Sequence, residues 1–279
     1  MATVRRDFFL NPAERLTEQE RALMTALLHG LVGQIADDLR AALPPGAAAA
    51  NDDDNLQLVG ELGAAGLLDR PRLIALLLRY ADEERIATAV RARAEARHAR
   101  FLQALVGDDD ANVSAAAMAL ILARGRRRDR FGQPIVEFDD LPADTAVPLV
   151  HSVAAALRRH LLATSGAEAV DTQLGAAADQ LVARHDRSKR VDGWIASLAR
   201  VLDEAGRLDE ALLEAAADEG DVAFLAEALS RRADIPSPAA WSQLIAGGNG
   251  RLMLLLRMAG MSRDFAARML AGLGELLGI

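Results

Sequence analysis

The chain repeats one pattern, in which a short apolar helix ends at an acidic or glycine-containing corner and a second helix rich in alanine and leucine follows. Such corners are expected at Asp82, Asp109-Asp110, Gly220-Asp221 and Gly248-Asn249. A helical pair of this size cannot bury its own apolar face, so neighbouring pairs must pack on one another. The pattern therefore predicts an all-α fold of antiparallel helical hairpins, stacked into an α-solenoid or an irregular helical array.

The composition favours the same fold class. Hydrophobic residues make up 51% of the chain but aromatic residues only 4%, so the core must consist mainly of alanine, leucine and valine, which suits closely packed helices. The absence of cysteine excludes disulfides, thiolate nucleophiles and cysteine zinc sites. A net charge of −8 argues against non-specific attraction to nucleic acid or to anionic membranes.

The sequence also bears on cellular location. No apolar run approaches the roughly 18 to 20 residues that a membrane-spanning helix requires. Arg5 and Arg6 lie near the N-terminus, but no apolar stretch with a small-residue cleavage site follows them, as it would in a secretory signal. We therefore expect a cytoplasmic protein without a membrane span.

Changes in local composition divide the chain into four segments. Residues 1–43 contain a long amphipathic helix, which the capping box Thr17-Glu18-Gln19-Glu20 begins. Its second face carries small residues, which predicts close packing against another helix, either within the chain or from a second copy. Residues 44–55 are expected to form a flexible linker. Helical repeats follow at 56–142, ending in an arginine-rich loop, and at 143–279.

Several short stretches, distributed over most of the chain, are similar to one known family. They comprise residues 8–10, 15–24, 115–120, 130–132 and 139–142, with the two glycine corners of the C-terminal half. In these stretches the chain resembles an alphaproteobacterial family, domain-of-unknown-function family 2336. The resemblance implies a HEAT-like helical array of bacterial origin. It implies no activity, cofactor or catalytic residue.

An arginine-rich loop is the most concentrated basic feature of the sequence. Its candidate partner-binding residues are Arg124, Arg126, Arg127, Arg128, Arg130 and Phe131. Gly132 and Pro134 forbid a continuous helix, so we expect an ordered turn or small hairpin. Nucleic-acid binding is one interpretation, because Phe131 could stack on a base. Docking of an acidic protein and local ion pairing explain the arginines equally well, since Glu137, Asp139, Asp140 and Asp144 follow. The overall negative charge makes nucleic acid the weaker alternative.

A separate hypothesis depends on His29. The segment His29-Gly30-Leu31-Val32-Gly33 has the His-x-Leu-x-Gly outline of a histidine phosphotransfer helix, in which an exposed imidazole accepts a phosphoryl group from an aspartate. Val32 stands where that family usually has a lysine. His29 is therefore a candidate phospho-acceptor, and the alternative is an ordinary, partly packed histidine.

No other pattern in the sequence predicts chemistry. None of the remaining histidines has a second ligand at the i,i+4 spacing of a zinc site. No glycine-rich phosphate loop follows a strand. We predict a helical scaffold that binds a protein partner and has a role in bacterial regulation. We expect no catalytic residue, cofactor or metal.

Overall fold

The structure is a computed structural model that describes residues 16–43, 52–93, 101–162, 167–245 and 248–277. Over these ranges it contains 13 α-helices, two short 3-10 helices and no strand, so the predicted all-α class is confirmed. The first α-helices are α1 (Glu18–Ala41), α2 (Asp52–Ala64), α3 (Pro71–Arg93), α4 (Phe101–Val106), α5 (Ala111–Gly125), α6 (Ala143–Leu162) and α7 (Ala167–Ala183).

The C-terminal α-helices are α8 (Val191–Glu204), α9 (Glu210–Asp218), α10 (Val222–Ala233), α11 (Ser237–Ile245), α12 (Gly248–Met258) and α13 (Arg263–Leu277). The 3-10 helices are Phe138–Asp140, before α6, and Arg187–Lys189, before α8.

Several of these helices start at an N-cap residue whose side chain accepts a backbone N–H. At α1, Glu20 N–H donates to Thr17 Oγ1 at 3.2 Å and Thr17 N–H donates to Glu20 Oε2 at 2.7 Å, which confirms the capping box. Single side-chain caps begin two other helices: Asp110 accepts the Asn112 N–H at α5, and Asp221 accepts the Phe224 N–H at α10. Gly220 has a φ of +71°, the left-handed conformation that glycine adopts without strain. Two of the predicted corners are therefore built as expected.

The corner predicted at Asp82 is wrong. Asp82 is buried within α3, which runs without interruption from Pro71 to Arg93 and joins two helices that the sequence was expected to separate. Between Ala81 and Arg85 there is no glycine or proline to end the helix. An acidic residue alone is therefore not a sufficient stop signal.

The predicted linker at 44–55 lies mostly outside the described residues. Its last four positions, Asp52 to Asn55, form the first turn of α2, so this helix begins inside the predicted linker.

The chain divides into two compact units. Unit 1 comprises Met1–Asp82 and Val147–Leu181. In it, α1 packs on α2 through Gly33, where a Cβ atom would lie 3.4 Å from the Asn55 side chain. Arg40 strengthens this contact by donating to Asn55 Oδ1 at 2.8 Å. Leu31, Ile35 and Leu39 of α1 are fully buried.

Unit 2 comprises Glu83–Ala146 and Val182–Ile279. Its core surrounds α10, which contacts α8, α9, α11 and α12. Phe224 of α10 is fully buried, and its ring centroid lies 5.3 Å from that of Phe101. Consecutive helices pack as hairpins, but α5 also packs on α8 and α9 on α13. Unit 2 therefore contains contacts between non-consecutive helices, and a solenoid arrangement is not confirmed.

Candidate functional site

The backbone of the arginine-rich loop forms an ordered turn. Ile135 N–H donates to Arg127 O at 2.9 Å, and Asp129 N–H donates to Gln133 O at 3.0 Å, beside an isolated antiparallel bridge between Arg128 and Pro134. The Asp129 carboxylate closes the tip of the turn by accepting the Gln133 N–H at 2.8 Å. The small hairpin expected from the sequence is present.

Arg127 holds this turn to the body of unit 2. Its Nε and Nη2 donate to the Asp140 carboxylate at 3.1 and 3.2 Å, and its Nη1 lies 3.7 Å from Glu83 of α3. Asp140 is buried and also accepts the Val191 N–H at 3.3 Å. Arg127 therefore fixes the 3-10 helix that follows the turn and is not available to a partner.

Arg128 is also paired within the unit. Its guanidinium donates twice to the Glu84 carboxylate, at 2.5 and 3.1 Å, and once to Gly132 O at 3.0 Å. Glu84 lies on α3 and accepts a further bond from Arg91 at 3.0 Å. Glu83 and Glu84, which follow Asp82 in α3, therefore provide carboxylates for two arginines of the loop, Arg127 and Arg128.

Arg124 is bound to the helix cap of α10. Its Nη1 and Nη2 donate to the two oxygens of Asp221 at 2.5 and 2.7 Å, while Asp221 Oδ1 also accepts the Phe224 N–H at 3.0 Å. Burial acts to lower the pKa of Arg124, but the charge and hydrogen bonds of Asp221 outweigh it, so the pKa is raised above its ordinary value. Arg124 is therefore a charged structural residue.

The other three predicted site residues take no part in these ion pairs. Arg126, Arg130 and Phe131 are exposed, Phe131 by 72%. The Arg130 guanidinium carbon lies 4.7 Å from the centroid of the Phe131 ring, a cation–π contact. Among the described residues, neither Arg126 nor Arg130 has an ion-pair partner. The predicted basic patch thus contains three internally paired arginines and two that remain available.

Two apolar side chains on the preceding helix extend the exposed region. Met118 and Leu122 of α5 are exposed, Leu122 by 64%. Leu122 lies one helical turn before Arg126 and Met118 one turn before Leu122. Sequence analysis missed them, although α5 is apolar around most of its circumference, which is typical of a helix with more than one packing face. We call Met118, Leu122, Arg126, Arg130 and Phe131 the α5-loop surface.

A small cavity lies beside Arg126. Its volume is about 250 Å³, and charged side chains line it: Arg126, Lys189, Glu137, Asp139 and Asp140. Asp139 accepts the Asp186 N–H at 2.8 Å and lies 3.7 Å from Lys189 Nζ, while Asp140 is held by Arg127. Arg126 thus lies at the edge of a cavity whose lining also contains three carboxylates.

His29 is half-buried on α1. Val32, which stands where a phosphotransfer helix usually has an exposed lysine, is fully buried. Gly33 is also buried, and the Asn55 side chain lies against it in place of a docking receiver domain. These neighbours give His29 no support as a phospho-acceptor.

Small residues on α1 differ in their exposure. Gly33 and Ala36 are buried, whereas Ala22 and Ala26 are exposed. The close approach predicted for the second face is therefore partly made by α2 of the same chain. Pairing of α1 between two copies stays a prediction.

The described ranges contain neither a metal-binding cluster nor a membrane-spanning helix. Within them, no group of three or more histidine, aspartate or glutamate side chains is placed to hold a metal ion. None of the helices described there combines the length and the apolar character needed to cross a bilayer.

Comparison with known proteins gives one match. A family model described as an uncharacterised protein conserved in bacteria (DUF2336) matches residues 67–277. No curated protein and no solved structure matches the chain. The matched range includes the α5-loop surface but not residues 8–24, which carried part of the resemblance noted in the sequence. The family is described as bacterial. The narrower alphaproteobacterial origin and the HEAT-like repeats stay predictions.

Proposed function

The chain belongs to the bacterial family DUF2336, and we propose that it acts as a protein-binding helical module whose docking edge is the α5-loop surface. The partner segment would present a carboxylate to Arg126 and apolar side chains to Leu122 and Phe131. Buried aromatic and arginine side chains surrounded by apolar contacts are the usual anchors of protein interfaces.

The observation that supports this proposal is the contrast between neighbouring arginines. Arg124, Arg127 and Arg128 each have a carboxylate partner, whereas Arg126 and Arg130 have none among the described residues. Ion pairs with carboxylates fix Arg124, Arg127 and Arg128 in the fold. Arg126 and Arg130 make no such ion pair among the described residues, so we assign them to partner binding. Arg126 lies one helical turn from the exposed Leu122, and Arg130 lies over the exposed Phe131 ring, which favours a surface that is desolvated on binding.

The same contrast disfavours nucleic acid as the partner. A phosphate-binding surface gains affinity from each arginine that contacts the backbone. Here the internal ion pairs occupy three of the five candidate arginines, and the whole chain carries a net charge of −8. A carboxylate-bearing protein segment requires only the two arginines that remain.

A site-specific crosslink tests the proposal. A photoreactive amino acid replaces Phe131, and the chain is expressed in its native bacterium and irradiated, and crosslinked peptides are identified by mass spectrometry. We expect one recurring protein segment that contains acidic and apolar residues. The triple variant Leu122→Asp, Arg126→Glu, Arg130→Glu, with the photoreactive residue kept at 131, should lose this crosslink.

Arg184→Glu is the matched control, because Arg184 is exposed and lies outside the α5-loop surface. It should keep the crosslink. Charge reversal of Arg127 or Arg128 is unsuitable, since it would break the internal ion pairs with Asp140 and Glu84. An unchanged crosslink in the triple variant, or salt-sensitive retention of the protein on DNA or RNA that the triple variant abolishes, would refute the proposal. A cytoplasmic location and a role in bacterial regulation belong to the same proposal.

A further inference from the structure

A second exposed apolar stripe lies on α12. Met253, Leu254 and Met258 are exposed, Leu254 by 51%, while Leu252 and Leu255 on the other side of the helix are fully buried. The buried side packs against α10, α11 and α13. Because Leu254 and Met258 are four residues apart, their side chains lie next to each other on one face. The helix therefore has two apolar faces, and the core covers one of them.

Positive charge flanks the pair Leu254 and Met258. At the spacing of an α-helix, Arg257 projects between Leu254 and Met253, and Arg251 projects on the other side of Met258. Arg251 and Arg257 of α12 are exposed, and among the described residues neither has an ion-pair partner. From residue 235 to residue 262 the sequence contains these two arginines and no aspartate or glutamate. This stretch therefore has a formal charge of +2 in a chain whose net charge is −8. We call Arg251, Met253, Leu254, Arg257 and Met258 the α12 surface.

We propose that the α12 surface binds an amphipathic helix of a partner protein, with acidic residues beside the apolar face of that helix. A helix laid along α12 would place apolar side chains on the stripe and carboxylates opposite Arg251 and Arg257. Met253 and Met258 suit this task because unbranched, flexible side chains adapt to the shape of a partner. Opposite charges at the border would set the orientation of the bound helix.

The charges disfavour two other occupants. If α12 paired with α12 of a second copy in antiparallel orientation, Arg251 of one chain would approach Arg257 of the other, and like charges would repel. An anionic membrane would attract these two arginines, but it would repel a chain with a net charge of −8. The inference is independent of the proposed function, because it uses a different helix and different residues.

Two synthetic peptides provide the test, each of about 15 residues, near the length at which an isolated helix becomes stable. Both carry leucine on one face; one has glutamate beside that face and the other has lysine at the same positions. Fluorescence anisotropy measures their binding to the full chain. We expect the glutamate peptide to bind saturably and at least about tenfold more tightly than the lysine peptide, with the difference falling as salt is added.

Variants identify the binding surface. Leu254→Asp should weaken binding of the glutamate peptide about tenfold or more, because it places a charge in the apolar contact. Leu56→Asp on α2 is the matched control and should bind like wild type, because Leu56 is 55% exposed and lies outside both proposed surfaces. The double variant Arg251→Glu, Arg257→Glu should reverse the preference and favour the lysine peptide. Equal urea midpoints for all variants would show that the fold is retained.

Several results would overturn the proposal. They are the absence of saturable binding, equal affinity for the two peptides, and binding that Leu254→Asp leaves unchanged. A dimer that Leu254→Asp dissociates in sedimentation experiments would instead assign the surface to a second copy. Binding to phosphatidylglycerol vesicles that Leu254→Asp abolishes would assign it to a membrane. Failure of the Phe131 crosslink would leave these outcomes unaffected, so the two proposals can fail separately.

Discussion

Replacing Asp221 by alanine should cause a large loss of stability in unit 2, because one carboxylate serves two structural purposes. It caps α10 through the Phe224 N–H and it holds both terminal nitrogens of Arg124. Loss of an N-cap costs about 1 kcal/mol. Removing one partner of a fully buried ion pair costs about 3 to 5 kcal/mol. The Asp221 side chain is only 7% exposed, but that of Arg124 is 30% exposed, so the lower end applies.

The expected destabilisation of Asp221→Ala is therefore about 3 to 4 kcal/mol for cap and ion pair together. Asp221→Asn keeps an oxygen for the Phe224 N–H and loses the charge, so it should cost about half as much. Arg124→Met combined with Asp221→Asn completes a double-mutant cycle. The double variant should be more stable than the sum of the single changes predicts, by about 1 to 2 kcal/mol.

Urea unfolding followed by tryptophan fluorescence is the appropriate assay. Both tryptophans, Trp194 and Trp241, belong to unit 2 and pack against its core, so their emission reports on this unit. An Asp221→Ala loss of about 1 kcal/mol, no larger than the cap alone, would refute the claim that the ion pair stabilises the fold. Strict additivity in the cycle would refute it as well.

Three further changes test other parts of the structure. Gly220→Ala should destabilise unit 2 by at least about 2 kcal/mol in the same assay, because φ is positive and the new Cβ would lie 2.8 Å from Ala87 Cα. Thr17→Ala should cost about 1 kcal/mol and reduce helicity in circular dichroism melts, because the capping box is lost. The pKa of Glu210 is lowered because its carboxylate accepts the backbone N–H and hydroxyl of Ser262. This stabilisation is present above the unfolded pKa and is lost as pH falls through the folded one, so Glu210→Gln should flatten the acid side of the stability profile.

The helical class and most helix positions could be predicted from local signals in the sequence. The capping box at Thr17 and the Gly220-Asp221 corner specify their own backbone bonds, so neighbours that are distant in sequence do not alter them. The Asp82 corner failed for the opposite reason. An aspartate inside a run of good helix formers can cap a helix or stay within one, and only its tertiary surroundings decide.

The candidate site was predicted less completely. The sequence located the arginine-rich loop, and local ion pairing was among its interpretations, but Glu84 and Asp221 lie too far along the chain to be identified as partners of Arg128 and Arg124. Which arginines remain available to a partner therefore required the structure. Leu122 and Leu254 were also out of reach, because an apolar residue in a helix does not itself show whether another helix covers it.

The ion pairs of the loop have a consequence for folding kinetics. Arg128 and Glu84 are 44 residues apart, and Arg124 and Asp221 are 97 residues apart. Closing such long segments costs chain entropy before any contact compensates for it. We therefore expect these pairs to form after the transition state, so that their removal accelerates unfolding while the refolding rate stays close to that of the wild type. In the living cell, the loop would therefore gain the ion pairs that fix its position only after the helices around it have packed.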